Sequence, residues 1–546
     1  MADASFDAVI VGGGNKALVT ALYLARYGGM KVGIFEERHE LGGGWGTHES
    51  AAPGFLSNSH ASTVTDWYFL PLQRDFPDIH ERGFQLLHQK VGMGVILKED
   101  QSCWTVYHVS QDPTGERTLK ELEKFATPQD AETWSKLYDV IRPGGGLRDA
   151  FLEDLYSLPP PPGTPTATQK WIGQELQKPG GLMNPQLLGL PAIYAVKELW
   201  EDPGMQFLFL HFCNVVGTPS EATGGPILLM IPLIWTEMAL VRGGTHSAAH
   251  ACIRAFLADG GVFYTKSKVT KIRIENGKAT GIRLADGTEV SAKLVVTSAS
   301  PSQLCFDLVG PEHLDSRLTK RVARLERSLS CINWYTWALH EAPDYLAADN
   351  NPDINNAYRL ILGSRDVKGL IDESYWRRLR KPPSHPAIDN FHHHSRVDRT
   401  QAPEGKHVVG SESITVPADA MSEREWMDYK RLHAQEVMDT WKDYMRNMSW
   451  DNIIGYDPIT PYDSARRQSN YAPTGNQNII DRFPGQAYPF TPVPELASHR
   501  TPIKNLYATG SAWGILGGAH VGQGYTCYKA IADDHELKKP WLGHPW

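Results

Sequence analysis

Cysteine is scarce and scattered. The 546-residue chain has six, Cys103, Cys213, Cys252, Cys305, Cys331 and Cys527, and no two form a C-x-x-C pair. That argues against a disulfide framework or a cysteine zinc site and for free thiols in a reducing compartment, so a cytoplasmic location is expected. Basic charge is also short. The 54 Lys and Arg stand against 62 Asp and Glu, a formal net charge of −8, so no cationic excess draws the chain to nucleic acid. No apolar run reaches the roughly 18 residues of a spanning helix. The opening MADASFDAVIVGGG lacks the basic and then apolar regions of a secretory signal. What remains is globular: 41% hydrophobic and 21% charged residues can bury a large core, at a length that suits two to four domain-sized units.

The first chemistry-bearing pattern comes at once. Phe6 to Val11 is a short apolar, β-branched run that reads as a buried strand. Gly12-Gly13-Gly14 follows. Ala17, Leu18, Ala21, Leu22 and Ala25 then recur at helical spacing up to Gly28-Gly29, and a second apolar run from Lys31 ends at Phe35-Glu36. This is a βαβ unit whose loop fits G-x-G-x-x-A at Gly12, Gly14 and Ala17. Gly12 allows the tight turn, Gly14 lets backbone approach a pyrophosphate, and Ala17 permits close packing of helix on strand. The helix start offers free N–H groups and a positive dipole end to phosphate. Glu36 stands where an acid accepts hydrogen bonds from an adenosine ribose, and it disfavours a 2′-phosphate. Dinucleotide binding is therefore expected.

Two more glycine patches need a reason. Leu41 to Thr47 (LGGGWGT) carries four glycines, which suit backbone packed against a flat or charged ligand. Near the C-terminus, Asn505 to Gly510 is a short strand ending in glycine. Gly514, Gly517, Gly518, Gly522 and Gly524 follow before a helical run from Tyr525 to Asp534. Three such loops, each near a strand end, argue for one ligand gripped by distant parts of the chain. Between them, Leu158 to Pro165 (LPPPPGTP) reads as an extended surface loop. Gly224 to Leu240 is the most apolar stretch, broken by two prolines and Glu237; it can line an apolar cavity, dip into one leaflet or fill a core. Arg242 to Gly261 reads as a glycine-bounded amphipathic helix. Strands follow, with a turn at Asp286-Gly287 and a return to a parallel sheet at Leu294-Val295-Val296. The charged helix from Glu423 to Arg446 reads as a solvated face. His392-His393-His394 is not a metal pattern, since consecutive residues point apart and no H-E-x-x-H helix is present; no metal is expected.

Taken together, VIVGGGNKALVTALYLARYG with FEE, LGGGWGTHE followed by Pro53 to Phe55, GGTHSAAHACIRAFLADGG through KVTKIRIENGKATGIRLADGTEV, Ala402 to Lys406, and NLYATGSAWGILGGAHVGQGYTCYKAI resemble the phytoene desaturase superfamily of FAD-dependent oxidoreductases, in its phytoene-dehydrogenase-related branch. The motifs cover about a third of the chain, spread from end to end in the family's order. The resemblance implies an α/β fold: a Rossmann-like FAD-binding domain of the glutathione-reductase/amine-oxidase type with an inserted α+β substrate domain. The FAD domain would be discontinuous, from 1–65, 240–304 and 481–546; the substrate domain would take 66–239 and 305–480. It further implies that Gly12, Gly14 and Ala17, with Asn15 and Lys16 beside them, meet the pyrophosphate and that Glu36 takes the ribose. Gly43 and Gly44 would pass near the isoalloxazine, Val269 would hold adenine through its backbone, and Gly510, Gly517 and Gly518 would close over the flavin. Two departures stand out. Asn15-Lys16 is unusually polar, and Trp45 replaces the Arg, Lys or small residue of many members, so it could stack near the flavin or wall the substrate cavity.

By the same resemblance the chemistry is hydride removal from an allylic carbon of a lipophilic terpenoid, giving an alkene, or an alcohol if water captures the cation, as in limonene-type dehydrogenases. His60, Glu237 and His520 are candidates for proton transfer by position, each with a structural role as the alternative. The electron acceptor is open among quinone, ferredoxin and oxygen. A partner subunit, a homo-oligomer and peripheral membrane contact through 224–240 are all consistent with the chain. Two other classes stay open: an amine-oxidase-like flavoenzyme on a polar substrate, and an FAD-binding subunit active only with a second chain.

Overall fold

The computed structural model describes residues 4–391, 394–483 and 485–546; of the triple histidine, His392 and His393 lie outside them. Two seven-stranded sheets organise the chain. In the first, Ala4–Val11 lies centrally, parallel to Val32–Phe35 on one side and Glu289–Thr297 on the other, with Val262–Tyr264 at the edge. Val32–Phe35 and the second halves of Ala4–Val11 and Glu289–Thr297 are buried on both faces, as central strands of a helix-covered parallel sheet must be, while the edge strand Val262–Tyr264 is largely exposed. Glu289–Thr297 does double duty. Its first half pairs antiparallel with Lys278–Leu284, and its last residues pair parallel with Leu506–Ala508. Lys278–Leu284 is in turn one arm of a hairpin with Val269–Glu275, turned by Asn276 and Gly277 at φ of 50° and 71°, the left-handed pair that a tight two-residue hairpin requires.

The helix Asn15–Arg26 buries every residue from Asn15 to Ala25. A helix apolar nearly all round belongs in the interior, and it packs between Gly522–Asp534 and His246–Ala258. Gly524 permits the closest approach: a Cβ there would sit 2.4 Å from the Lys16 carbonyl oxygen.

The second sheet runs in the order Ile453–Ile459, Cys331–Leu339, His407–Thr415, Ile388–Phe391, Ala357–Gly363, Val91–Leu97, Cys103–Tyr107. All neighbours are antiparallel except Ala357–Gly363 with Val91–Leu97. Period-two alternation divides its strands between two environments. Tyr335, Trp337 and Leu339 pack with Val437, Met438 and Trp441 of the helix Glu423–Lys442. That helix is therefore not simply a solvated face: its charges lie on one side, while Trp426, His433, Val437 and Trp441 are buried on the other. Trp334 points the opposite way, into the larger core shared with the helices. The stretch 224–240 breaks at its prolines into Gly225–Met230, Pro232–Trp235 and the strand Met238–Val241. No helix among the described residues is long and apolar enough to cross a membrane. All six cysteines are buried and unpaired.

Candidate active site

A cavity of about 570 Å³ lies between the two sheets and joins all three glycine loops. Gly12, Gly14, Asn15, Lys16, Glu36, Gly43, Gly44, Val269, Gly510, Gly517 and Gly518 line it, which brings together residues nearly the whole chain apart. Ala17 is fully buried behind the loop. Trp45 is also outside the lining: its indole N–H donates to the Ala519 carbonyl at 2.8 Å, and its ring packs on Phe69. The tryptophan thus ties the second glycine loop to the third.

The loops leave room only for backbone. Gly12 has φ of +86°, and a Cβ there would lie 2.6 Å from Ser298 Oγ; at Gly43, φ +56°, it would lie 2.9 Å from the Gly14 Cα. The helix Asn15–Arg26 begins at Gly14 with no side-chain cap; Asn15 Oδ1 takes the Lys16 N–H at 3.1 Å, which leaves the neighbouring first-turn N–H groups for an anion. Glu36 is oriented from the same loop: Oε2 accepts from the Gly13 N–H at 2.6 Å and Oε1 from the Arg38 N–H at 2.8 Å. Two buried cations face the cavity. Lys16 donates to the Gly518 carbonyl, and Arg482 donates to the Gly514 carbonyl at 3.2 Å while its Nε–H is buried without a partner among the described residues. Burial, helped by the Arg482 charge, holds the Lys16 ammonium down to about 7. Neither residue forms an ion pair among the described residues. Uncapped N–H groups, an orphaned guanidinium donor and two unpaired cations fit a phosphate-bearing, electron-rich group such as a flavin dinucleotide.

The other side of the cavity is apolar. Val215, Val216, Ile227, Ile234, Trp334 and Leu516 contribute to it, so the broken apolar stretch supplies two wall residues while Leu228, Leu229, Leu233 and Trp235 fill the core. The proton-transfer candidates separate. His60 lines the cavity with its ring 5.3 Å from Tyr471, and burial pushes it down to about 3, leaving it neutral. His520 is off the lining: Nδ1 accepts from the Gly522 N–H at 3.1 Å and Nε2 lies 3.0 Å from the Leu516 carbonyl. Glu237 is also off the lining, held by Arg148 at 2.6 and 3.0 Å. The ionisable lining residues Tyr68, Arg359, Glu412 and Arg482 were not singled out in the sequence. An acid inside a strand, as in Ser411-Glu412-Ser413, was the available signal.

Elsewhere, Asp66, His88 and His108 bring ligand-type atoms within 4.8 Å of one another. His88 Nε2 is 2.6 Å from Asp66 Oδ1, and the Ser110 N–H donates to His108 Nδ1 at 3.1 Å. That bond leaves the His108 proton on Nε2, 3.9 Å from Asp66 Oδ2, so in this arrangement that nitrogen has no lone pair to offer a metal.

Fold and cavity fit a dinucleotide-binding protein, and the sequence relatives are oxidoreductases. A family profile for an NAD(P)-binding Rossmann-like domain matches residues 10–76. The chain is 25% identical to one subunit of the limonene dehydrogenase of Castellaniella defragrans, over 98% of this chain and 96% of that one. It is 25% identical to pyridine nucleotide-disulfide oxidoreductase domain-containing protein 2 of Rattus norvegicus, over 95% and 91%, and 27% identical to hydroxyneurosporene desaturase of Cereibacter sphaeroides, over 60% and 62%. Among solved structures, an oxidoreductase from Methanosarcina mazei superposes with a TM-score of 0.61 at 14% identity, covering 96% of this chain and 99% of that one. Putrescine oxidase gives 0.59 at 11%, covering 97% and 98%. The structural likenesses show the fold, of the FAD amine-oxidase type, and the sequence relatives include carotenoid desaturases, which the chain resembles.

Proposed function

We propose that this chain holds FAD along the glycine-lined side of the cavity and removes hydride from an allylic carbon of an apolar isoprenoid held against the other side. One observation carries the reading: a single cavity joins the dinucleotide loops to an aliphatic and aromatic wall. The relatives named for limonene and for carotenoid desaturation support it. When bound, FAD would supply the two-electron acceptor for hydride. Gly12, Gly14 and the uncapped helix start would hold the pyrophosphate, Glu36 the ribose, and Val269 the adenine. Gly43, Gly44, Gly510, Gly517 and Gly518 would close on the flavin, and Lys16 and Arg482 would offset negative charge. Ile227, Ile234 and Trp334 would orient the hydrocarbon and exclude water. In this reading 1–65, 240–304 and 481–546 form the cofactor unit and 66–239 with 305–480 the substrate unit. The product is an alkene, or an allylic alcohol where water enters. The designation of the limonene-dehydrogenase relative as a subunit supports a partner polypeptide, which copurification from the source cell would reveal.

The test begins with the visible spectrum of the purified protein and the chromophore released on denaturation. FAD at about one per chain is expected, followed by anaerobic bleaching with a monoterpene or a carotenoid precursor. A colourless protein that refuses added FAD sinks the cofactor assignment. An FAD-loaded protein bleached by amines and not by terpenoids moves the chain to the amine-oxidase class.

A further inference from the structure

Resting on that function, we infer that Glu412 is the residue that accepts the proton released when the substrate is oxidised, with Arg359, Asp389 and His211 positioning it. Strand register puts it there. In the second sheet Trp334 pairs with Glu412 and Glu412 with Asp389, and Asp389 pairs with Ile361, two residues from Arg359. These neighbours share one face of the sheet, and Trp334, Glu412 and Arg359 from it line the cavity. The other carboxylates of the lining are Glu36, Glu37 and Glu40, at and after the end of Val32–Phe35, and the exposed Asp307. Glu412 is thus the buried carboxylate on the sheet side, among the described residues.

Its partners hold it without neutralising it. Arg359 is committed to Asp389, donating to Oδ2 through Nε at 3.0 Å and through Nη2, and reaches Glu412 Oε1 only at 3.5 Å. His211 Nε2 lies 2.7 Å from Asp389 Oδ1 on the far side. Among the described residues, the titratable groups that face Glu412 are these three, with Glu373 behind His211 and Asp389. Burial, against the pull of Arg359, pushes the Glu412 carboxyl up to about 7, where a general base works best at neutral pH. On the sheet side of the cavity Glu412 stands apart. His60 is a weak base at about 3 and Tyr68 is pushed up to about 12 and stays protonated, while Lys16, also near 7, is fastened to the Gly518 carbonyl on the glycine-loop side.

The step balances. One C–H bond breaks and its electron pair leaves as hydride, for which bound FAD would be the two-electron acceptor. On the adjacent carbon a second C–H bond breaks, its pair becomes the new π bond, and its proton goes to a Glu412 oxygen. Where water captures the carbon instead, the C–O bond forms and Glu412 takes the proton that water gives up.

Infrared spectroscopy on the wild-type holoprotein gives a readout apart from turnover. A protonated-carboxyl carbonyl band that titrates near pH 7 and disappears in Glu412→Gln is expected, and Asp389→Asn, which removes a neighbouring negative charge, should shift that titration to lower pH. Glu412→Gln should keep its FAD, lose about 10²- to 10⁴-fold in turnover and lose the ionisation near 7 from its pH profile, with Glu412→Asp recovering part of the rate. Wild-type turnover and pH profile in Glu412→Gln would overturn the assignment, as would the lack of a titrating carboxyl band in the wild type, a result that needs no variant to fold. If FAD binds but no terpenoid reduces it, the proposed function fails while the band still reports on Glu412.

Discussion

Replacing Gly43 by alanine tests whether the glycine loops are spaced for a ligand or only for each other. At φ of +56° an L-residue already costs about 1–2 kcal/mol. The new Cβ would also stand 2.9 Å from the Gly14 Cα, well inside the roughly 3.5–4.0 Å of an ordinary carbon contact. Gly14 is backbone and cannot rotate away. The variant relieves the clash by parting the second loop from the first, and rebuilding the cradle around a dinucleotide then costs about 1–3 kcal/mol, the usual range for overpacking. At about 1.4 kcal/mol per tenfold, FAD should bind roughly 5- to 150-fold more weakly. The assay is quenching of FAD fluorescence on titration with apoprotein. Gly180→Ala is the control: φ is +67° there, nothing lies within 4 Å of the added carbon, and the site is off the cavity, so FAD affinity should not change. Wild-type affinity in Gly43→Ala, or an equal loss in both variants, would refute the reasoning.

Lys16→Met should stabilise the ligand-free protein in a pH-dependent way. Folding holds the ammonium down to about 7 from 10.5, so between those values the unfolded chain binds more protons and stability rises with pH. The substitution should raise the apoprotein melting temperature near pH 7 and leave it unchanged near pH 10.5; an equal gain at both would indicate packing alone. Ile234→Trp should fill the apolar side of the cavity, so that terpenoid-driven bleaching stops while the FAD content of the purified protein stays at the wild-type level. Arg148→Met strands the buried Glu237 carboxylate and should cost about 3–5 kcal/mol, seen as a lower melting temperature. Turnover per bound FAD should hold, because the pair lies off the cavity lining; a fall in that ratio would return Glu237 to the chemistry.

The dinucleotide cradle was legible because its signals are local: strand, glycine turn and helix start are contiguous from Phe6 to Arg26, and the third loop repeats the pattern at Leu506 to Asp534. The sheet-side wall was not. Arg359, Asp389 and Glu412 lie on three strands separated by dozens of residues, and only register aligns them. An acid in a strand flanked by serines reads as a solvent-facing position, yet both faces of His407–Thr415 are buried, one by the helix Glu423–Lys442 and the other toward the cavity. Trp45 was legible as unusual, but its direction was not, because the carbonyl that orients it belongs to Ala519.

The contact between the first helix and the last carries a consequence for how the protein is made. Thr20 Oγ1 donates to the Gly524 carbonyl across 504 positions of sequence, and Lys16 donates to the Gly518 carbonyl across 502. At about 5–20 residues per second, the nascent first loop leaves the ribosome roughly half a minute to two minutes before its partners exist. Through that interval the Asn15–Arg26 helix, apolar on nearly every side, has no mate for the face that Gly522–Asp534 will cover. Synthesis therefore passes through a long exposed stage that lasts until Gly522–Asp534 has been made. The nucleotide site is completed by the arrival of that segment, not by the loop that announces it.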